Sequence, residues 1–325
     1  MTAPARTVFL GSGMFAVPIL DALLRHPRVD LRAVVTAPPR PAGRRRKMIA
    51  SAVGSHAATL GLSVLAPERL RAPEAIEAIE RQAPALIVLA DYGRMVPGAL
   101  LDAPRHGALN LHPSLLPRHR GAAPIAAAIL EGDRRTGVSL MRMDEGLDTG
   151  PLIAVREMEL QGDEIAPVLE AALADMAADL LVRSLAAWLD GELSAVTQGG
   201  EGASLTRPLR RADGRLDPQR PAEVLERQVR AYQPWPGSFL ETAAGRLIVW
   251  RSRVLGQDEV LSESLASDGP GVIVAAGQRP ALVTAAGVLE LVEVQPAGGQ
   301  RMPGSALLLG RGTLVGSRVR DGTVG

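Results

Sequence analysis

Cysteine is absent from the 325-residue sequence, which excludes structural disulfides, thiolate metal sites and cysteine nucleophiles. Aromatic residues are scarce, 2% against 46% apolar overall, so leucine, valine, isoleucine and alanine must fill the cores. Lysine is all but missing. Lys47 is the only one, and the rest of the positive charge is arginine. The net charge of +1 excludes a globally polycationic protein and leaves any nucleic-acid contact to a local patch. No apolar run approaches the ~20 residues that a membrane-spanning helix needs, and the N-terminus has no signal-peptide core. A cytoplasmic protein without a membrane partner is expected.

What is present has two textures. Through the first half, short apolar runs rich in β-branched residues ("TVFLG", "LRAVVTA", "LSVLA", "ALIVLADYG", "GALNLH") alternate with helical patterns ("MFAVPILDALLRH", "MIASAVGSHAATLG", "PEAIEAIERQ", "APIAAAILEG"). This alternation predicts an α/β fold, an open and mostly parallel Rossmann-like sheet flanked by helices. A further strand, "TGVSLMRMD", precedes "EGLDTGPLI", and a long helical pattern runs from Glu164 to Asp190. Between Gly191 and Thr206 the composition turns to Gly, Ser, Thr and Gln, a linker signal. Beyond it lie one helix, "AEVLERQVRAY", and several runs read as short strands ("RLIVWRSRVL", "GVIVAA", "ALVTAAGVLELVEVQ", "SALLLG"). These predict a small C-terminal β-barrel of OB-like kind. The expected division is residues 1–190, a linker at 191–206, and a barrel domain at 207–325.

Several motifs could carry chemistry. "GSGMFA" has the G-x-G-x-x-A shape of a dinucleotide turn, with Gly11, Gly13 and Ala16 at the key positions. The second strand ends "VVTAPPR", however, without the acidic residue that would hold a ribose, so close helix–sheet packing is the better role for these glycines. "PPRPAGRRRK" is a rigid basic loop, suited to phosphates through arginine forks or simply solvated. Asn110 and His112, two apart at the end of an apolar run, project to one face of an extended segment. At the carboxyl end of a sheet strand, that face opens on the crevice where α/β proteins bind ligands. Asp148, between Gly146 and Gly150, follows another strand end and could orient the imidazole. Asn supplies a neutral donor for a developing oxyanion, and an imidazole moves protons near neutral pH. A hydrolase triad of Ser114, His112 and Asp148 lacks the G-x-S-x-G elbow. His106, His112 and His119 lack the spacing of a helical zinc pair, so no metal is expected.

"NLHPSLLPRHRGAAPI" together with "TGVSLMRMDEGLDTG" resembles the folate-dependent formyltransferases. The likeness extends to "RPAGR", "AYQPWPG" and "VQPAGGQRM", and so to nearly the whole chain. These outlying stretches match the branch that acts on methionyl initiator tRNA. The resemblance implies formyl transfer from 10-formyltetrahydrofolate as cosubstrate, serving translation initiation. It implies Asn110, His112 and Asp148 as the catalytic trio, with Ser114, Leu115, Leu116, Pro117 and Tyr92 on the folate side. Arg40, Arg44, Arg45, Arg46 and Lys47 would meet tRNA, and the barrel would contact it as well. A monomer is expected. The chain departs from the family at Ser12-Gly13-Met14, Pro39, Ala66 and Asp91, none of them in the trio. Two other readings stay open on the sequence: the same chemistry on a small amine, and a non-catalytic RNA-binding protein on a degenerate enzyme fold.

Overall fold

In chain order the first half folds as β1 (Ala5–Gly11), α1 (Ala16–Arg25), β2 (Val29–Val35), a short antiparallel pair β3 (Arg40–Ala42) and β4 (Lys47–Ile49), then α2 (Ala52–Thr59). Next come β5 (Val64–Leu65), α3 (Pro73–Glu80), β6 (Leu86–Ala90), α4 (Gly98–Asp102), β7 (Ala108–His112), β8 (Arg120–Gly121) and α5 (Pro124–Glu131). An antiparallel pair, β9 (Arg135–Arg142) and β10 (Leu152–Glu159), precedes the long α6 (Ala166–Leu189) and the two-residue β11 (Leu205–Thr206). This computed structural model describes residues 3–42, 47–262, 269–310 and 314–320. The chain divides into two units. Met1–Pro124, Arg135–Glu159 and Val168–Arg207 form the first; Ile125–Arg134, Leu160–Pro167 and Pro208–Gly325 form the second.

The first unit is built on a seven-stranded sheet in the order β10-β9-β7-β6-β1-β2-β5. The strands from β5 to β7 run parallel, whereas β9 runs antiparallel to both its neighbours, β7 and β10. Every residue of β6 is buried, as a central parallel strand covered on both faces requires. Val8, Leu10, Val35, Ile79, Ile87, Leu89 and Leu100 pack into one apolar cluster on this sheet. The strand order reverses between β1 and β6, and crevices at the carboxyl ends of such strands bind ligands. Gly11 sits there because a Cβ would come within 2.8 Å of the Phe9 ring and 3.0 Å of the Ala16 Cβ. The glycine motif therefore serves close packing, as its missing ribose acid foretold.

The second unit contains α7 (Ala222–Ala231), β12 (Ser238–Thr242), β13 (Gly245–Val254), α8 (Gln257–Ser262), β14 (Ile273–Ala276), β15 (Arg279–Val283), β16 (Val288–Pro296), β17 (Met302–Pro303) and α9 (Gly304–Gly310). Its strands form one antiparallel sheet, β12-β13-β16-β15-β14, with β17 on β16. The tail draws the two edges together. Val319 N–H donates to the Gly271 carbonyl next to β14, and Arg320 N–H to the Glu241 carbonyl of β12. The result is a small barrel-like domain, cored by Leu225 and Val229 of α7 with Leu240, Val249, Ile273, Leu289 and Leu291.

Two readings change here. "SALLLG" is the helix α9 and not a strand: its Ala-Leu run favours helix, and burial is one-sided, with Leu307 buried and Leu309 exposed. Met48 and Ile49, read as the start of a helix, pair in β4, and α2 begins only after Ser51, whose hydroxyl accepts the Gly54 N–H as an N-cap.

Candidate active site

β7 places two polar side chains at its carboxyl end because its register is fixed on both sides. Leu109 pairs with Val88 of β6, and Asn110 and His112 face Met141 and Ser139 of β9. The intervening Leu111 is buried on the opposite face. Asn110 is half-buried and His112 is buried.

Asp148 reaches them from the loop between β9 and β10. Its backbone is left-handed (φ 54°), a conformation an aspartate tolerates better than most side chains. The loop closes tightly around it. A Cβ on Gly146 would lie 1.9 Å from the Thr149 Oγ1, and one on Gly150 1.9 Å from the Arg142 carbonyl oxygen. The Asp148 carboxylate accepts the Gly121 N–H at 2.8 Å and, more weakly, an Asn110 amide N–H at 3.4 Å. Its Oδ2 lies 3.6 Å from His112 Nδ1, beyond hydrogen-bond distance.

The other imidazole nitrogen settles the tautomer. His112 Nε2 lies 2.9 Å from the carbonyl oxygen of His119, which can only accept, so Nε2 carries the proton. Nδ1 is then the nitrogen left to take a proton, and it is the one beside Asp148. A donor amide, a proton acceptor and a carboxylate thus converge at one strand end, the set that acyl transfer to an amine calls for.

The residues assigned to the folate side are placed differently. Ser114 is buried and donates its hydroxyl to the Arg118 carbonyl (2.6 Å), closing the turn. Leu116 is buried, with its N–H on Ser139 Oγ (3.1 Å), and Leu115 packs over Gly137. Pro117 is half-buried in the same turn. Tyr92 packs in the apolar cluster of β1 and β6, its hydroxyl buried without a hydrogen-bond partner among the described residues, and burial raises its pKa. Arg40 and Lys47 are exposed on β3 and β4. Arg44, Arg45 and Arg46 lie outside the described residues.

Two features gain a meaning that the sequence alone does not give them. The first is Asp91, held with φ 44° directly after β6, its carbonyl accepting the N–H groups of Ser12 and Gly13. Its carboxylate occupies the space where a Cβ on Gly13 would stand, 1.6 Å from Oδ2. Surrounding protein, and secondarily the charge of Glu170, raise its pKa to about 6. The second is the stretch read as a linker. Gln198 hydrogen-bonds to the Asp148 carbonyl, and Ser204 and Thr206 to His119 and Arg120 beside the trio. Gly/Ser/Thr/Gln composition carries no sign of such bonding.

Comparison with known proteins agrees with this architecture. A formyl transferase family model matches residues 5–185, and the model of the formyl transferase C-terminal domain matches residues 208–312. The methionyl-tRNA formyltransferase of Thermus thermophilus is 43% identical over 316 residues, covering 97% of this chain and 99% of that protein. That of Myxococcus xanthus is 42% identical over 313 residues, covering 96% and 97%. The structure of HypX from Aquifex aeolicus in complex with tetrahydrofolic acid shares the fold, with a TM-score of 0.60 at 16% identity, over 94% of this chain and 47% of that one. No described helix is long and apolar enough to cross a membrane. The chain belongs to the methionyl-tRNA formyltransferase family.

Proposed function

We propose that the protein transfers the formyl group of 10-formyltetrahydrofolate to the amino group of methionyl initiator tRNA, for translation initiation. The observation that carries this reading is the convergence of Asn110, His112 and Asp148, with His112 fixed so that Nδ1 faces the carboxylate.

The aminoacyl nitrogen attacks the formyl carbon directly. A C–N bond forms, the carbonyl oxygen takes up negative charge in a tetrahedral intermediate, and the bond from that carbon to the folate nitrogen then breaks. The Asn110 amide donates to the oxygen, a contact worth about a hundred- to a thousandfold in rate. His112 Nδ1 takes the amine proton and returns it to the departing folate nitrogen, worth on the order of a hundred- to ten-thousandfold. Asp148 stabilises the imidazolium that exists between these two transfers. The donor set fits a carbonyl under attack by an amine. Cysteine is absent, so no thiol nucleophile competes with direct transfer.

The division of labour we infer places transfer in residues 1–190, a connection at 191–206, and tRNA contact in residues 207–325. The turn from Ser114 to Pro117 with Tyr92 serves the folate side, and Arg40, Arg44, Arg45, Arg46 and Lys47 serve the tRNA phosphates. The protein acts as a cytoplasmic monomer.

Incubation with 10-formyltetrahydrofolate and methionyl initiator tRNA, beside charged elongator tRNA and free methionine, tests the reading. Formylated product on the initiator alone is expected, and His112→Ala should abolish it. Product on none of the three acceptors, or undiminished turnover by His112→Ala, would refute it.

A further inference from the structure

Along the stretch from Val196 to Gly200, one side chain is turned into the protein while its neighbours Val196, Thr197, Gly199 and Gly200 are exposed. That residue is Gln198. Its amide Nε2 donates to the carbonyl oxygens of Asp148 (2.9 Å) and Gly150 (2.7 Å). Its Oε1 accepts from Arg120 through both Nε (3.1 Å) and Nη2 (2.7 Å). All four hydrogen-bonding positions of the amide are used. Only a side chain with two donors and an acceptor at that reach can span two carbonyls and a guanidinium, and glutamine is that side chain.

The two ends of this brace matter because of what they carry. Asp148 provides the carboxylate of the trio. Arg120 follows His119, whose carbonyl fixes the His112 tautomer, and precedes Gly121, whose N–H holds the Asp148 carboxylate. The same stretch also pins the far side of this turn. Ser204 Oγ accepts the His119 N–H (2.9 Å), and Arg120 N–H donates to the Ser204 carbonyl (3.0 Å). β11 then pairs with β8, and Thr206 Oγ1 donates to the Arg120 carbonyl (2.9 Å).

We propose that Gln198 is a positioning residue for formyl transfer, locking the Asp148 loop to the His119–Gly121 turn so that Asp148 and His112 Nδ1 hold their spacing. The segment from Val196 to Thr206 is then a strap of the active site as well as a connection. The inference rests on the trio being catalytic.

The decisive comparison uses the full chain and follows formyl transfer for the parent, Gln198→Met, Gln198→Glu, Asp148→Asn and the Gln198→Met/Asp148→Asn double variant, with His112→Ala alongside and thermal unfolding recorded for each. Methionine keeps the length but no hydrogen bonds; glutamate keeps the Arg120 contact but turns an oxygen on the two carbonyls. A loss of kcat of about ten- to a hundredfold is expected in both Gln198 variants. KM for both substrates should stay within about twofold, as uniform binding is untouched. On the Asp148→Asn background, Gln198→Met should cost much less than it does alone, since residues acting through one another are not additive. Parent-like kcat in both Gln198 variants, a full additive loss in the double variant, or failure of both Gln198 variants to fold would overturn the proposal. If His112→Ala turns over normally, the reading of the trio fails instead; if His112→Ala is inactive and Gln198→Met is normal, only the role of Gln198 falls.

Discussion

Replacing Asp91 by asparagine should stabilise the protein at pH 7.5, and by less at pH 5. In the folded chain the Asp91 carboxyl titrates at about 6, against 3.8 for the unperturbed group, because surrounding protein and the charge of Glu170 disfavour ionisation. Between about pH 4 and 6 the folded state holds a proton that the unfolded chain has already released. Stability therefore falls as pH rises through that window, and the whole penalty is present above it. A gap of about two pKa units corresponds to about 3 kcal/mol at most. Asp91 is open to solvent, and screening by water brings the figure to about 1 kcal/mol. Asparagine has the same shape, carries no charge, and tolerates the left-handed backbone at this position. Thermal or urea unfolding of the transition that includes the first unit, measured at pH 7.5 and 5.0, reads the effect. The gain at pH 5 should be smaller than that at pH 7.5. An identical gain at both pH values, or a variant less stable than the parent at pH 7.5, would refute the argument that the Asp91 charge is held at a cost.

Asn110→Ala should lower kcat by about a hundred- to a thousandfold with little change in thermal stability, read by single-turnover formyl transfer; parent-like turnover would remove the amide from the oxygen of the formyl group. Gly121→Ala should lose both stability and activity. Its φ of 99° suits only glycine, and a Cβ there would stand 2.2 Å from the Thr206 carbonyl oxygen, so a cost on the order of 1–3 kcal/mol is expected by denaturation. An unchanged melting temperature would show that the β8–β11 pairing gives way more easily than its geometry suggests.

The parallel sheet was legible because its signal is local. β6 reads as an unbroken apolar run, α3 and α7 read as amphipathic helices, and Asn110 and His112 declare their shared face through their spacing. Their meeting with Asp148 was not written in any such period, since 38 residues separate it from Asn110 and only the antiparallel register of β7 on β9 brings the two loops together. β10 went unread for a related reason: "LIAVREME" is half exposed, an edge strand with neither a buried run nor a clean alternation. α9 was misread because six residues are too few for periodicity to separate a short helix from a strand.

Gln198 and Asp91 show two ways in which a site hides from sequence. Gln198 lies in Gly- and Ser-rich text that looks like a tether, and two of its four bonds go to carbonyl oxygens, which any residue could have offered. Composition reports on side chains and is silent about main-chain acceptors, so a strap made of side-chain to main-chain bonds reads as a linker. Asp91 is visible as a departure, but its meaning needs a second departure. A carboxylate fits there because position 13 is glycine, and the two positions are far apart in sequence while their atoms compete for one volume. The Gly13 backbone and the Asp91 side chain are thus one structural unit. A side chain restored at position 13 would push the carboxylate outward toward water, lower its pKa, and cancel much of the pH-dependent gain that Asp91→Asn gives in the parent.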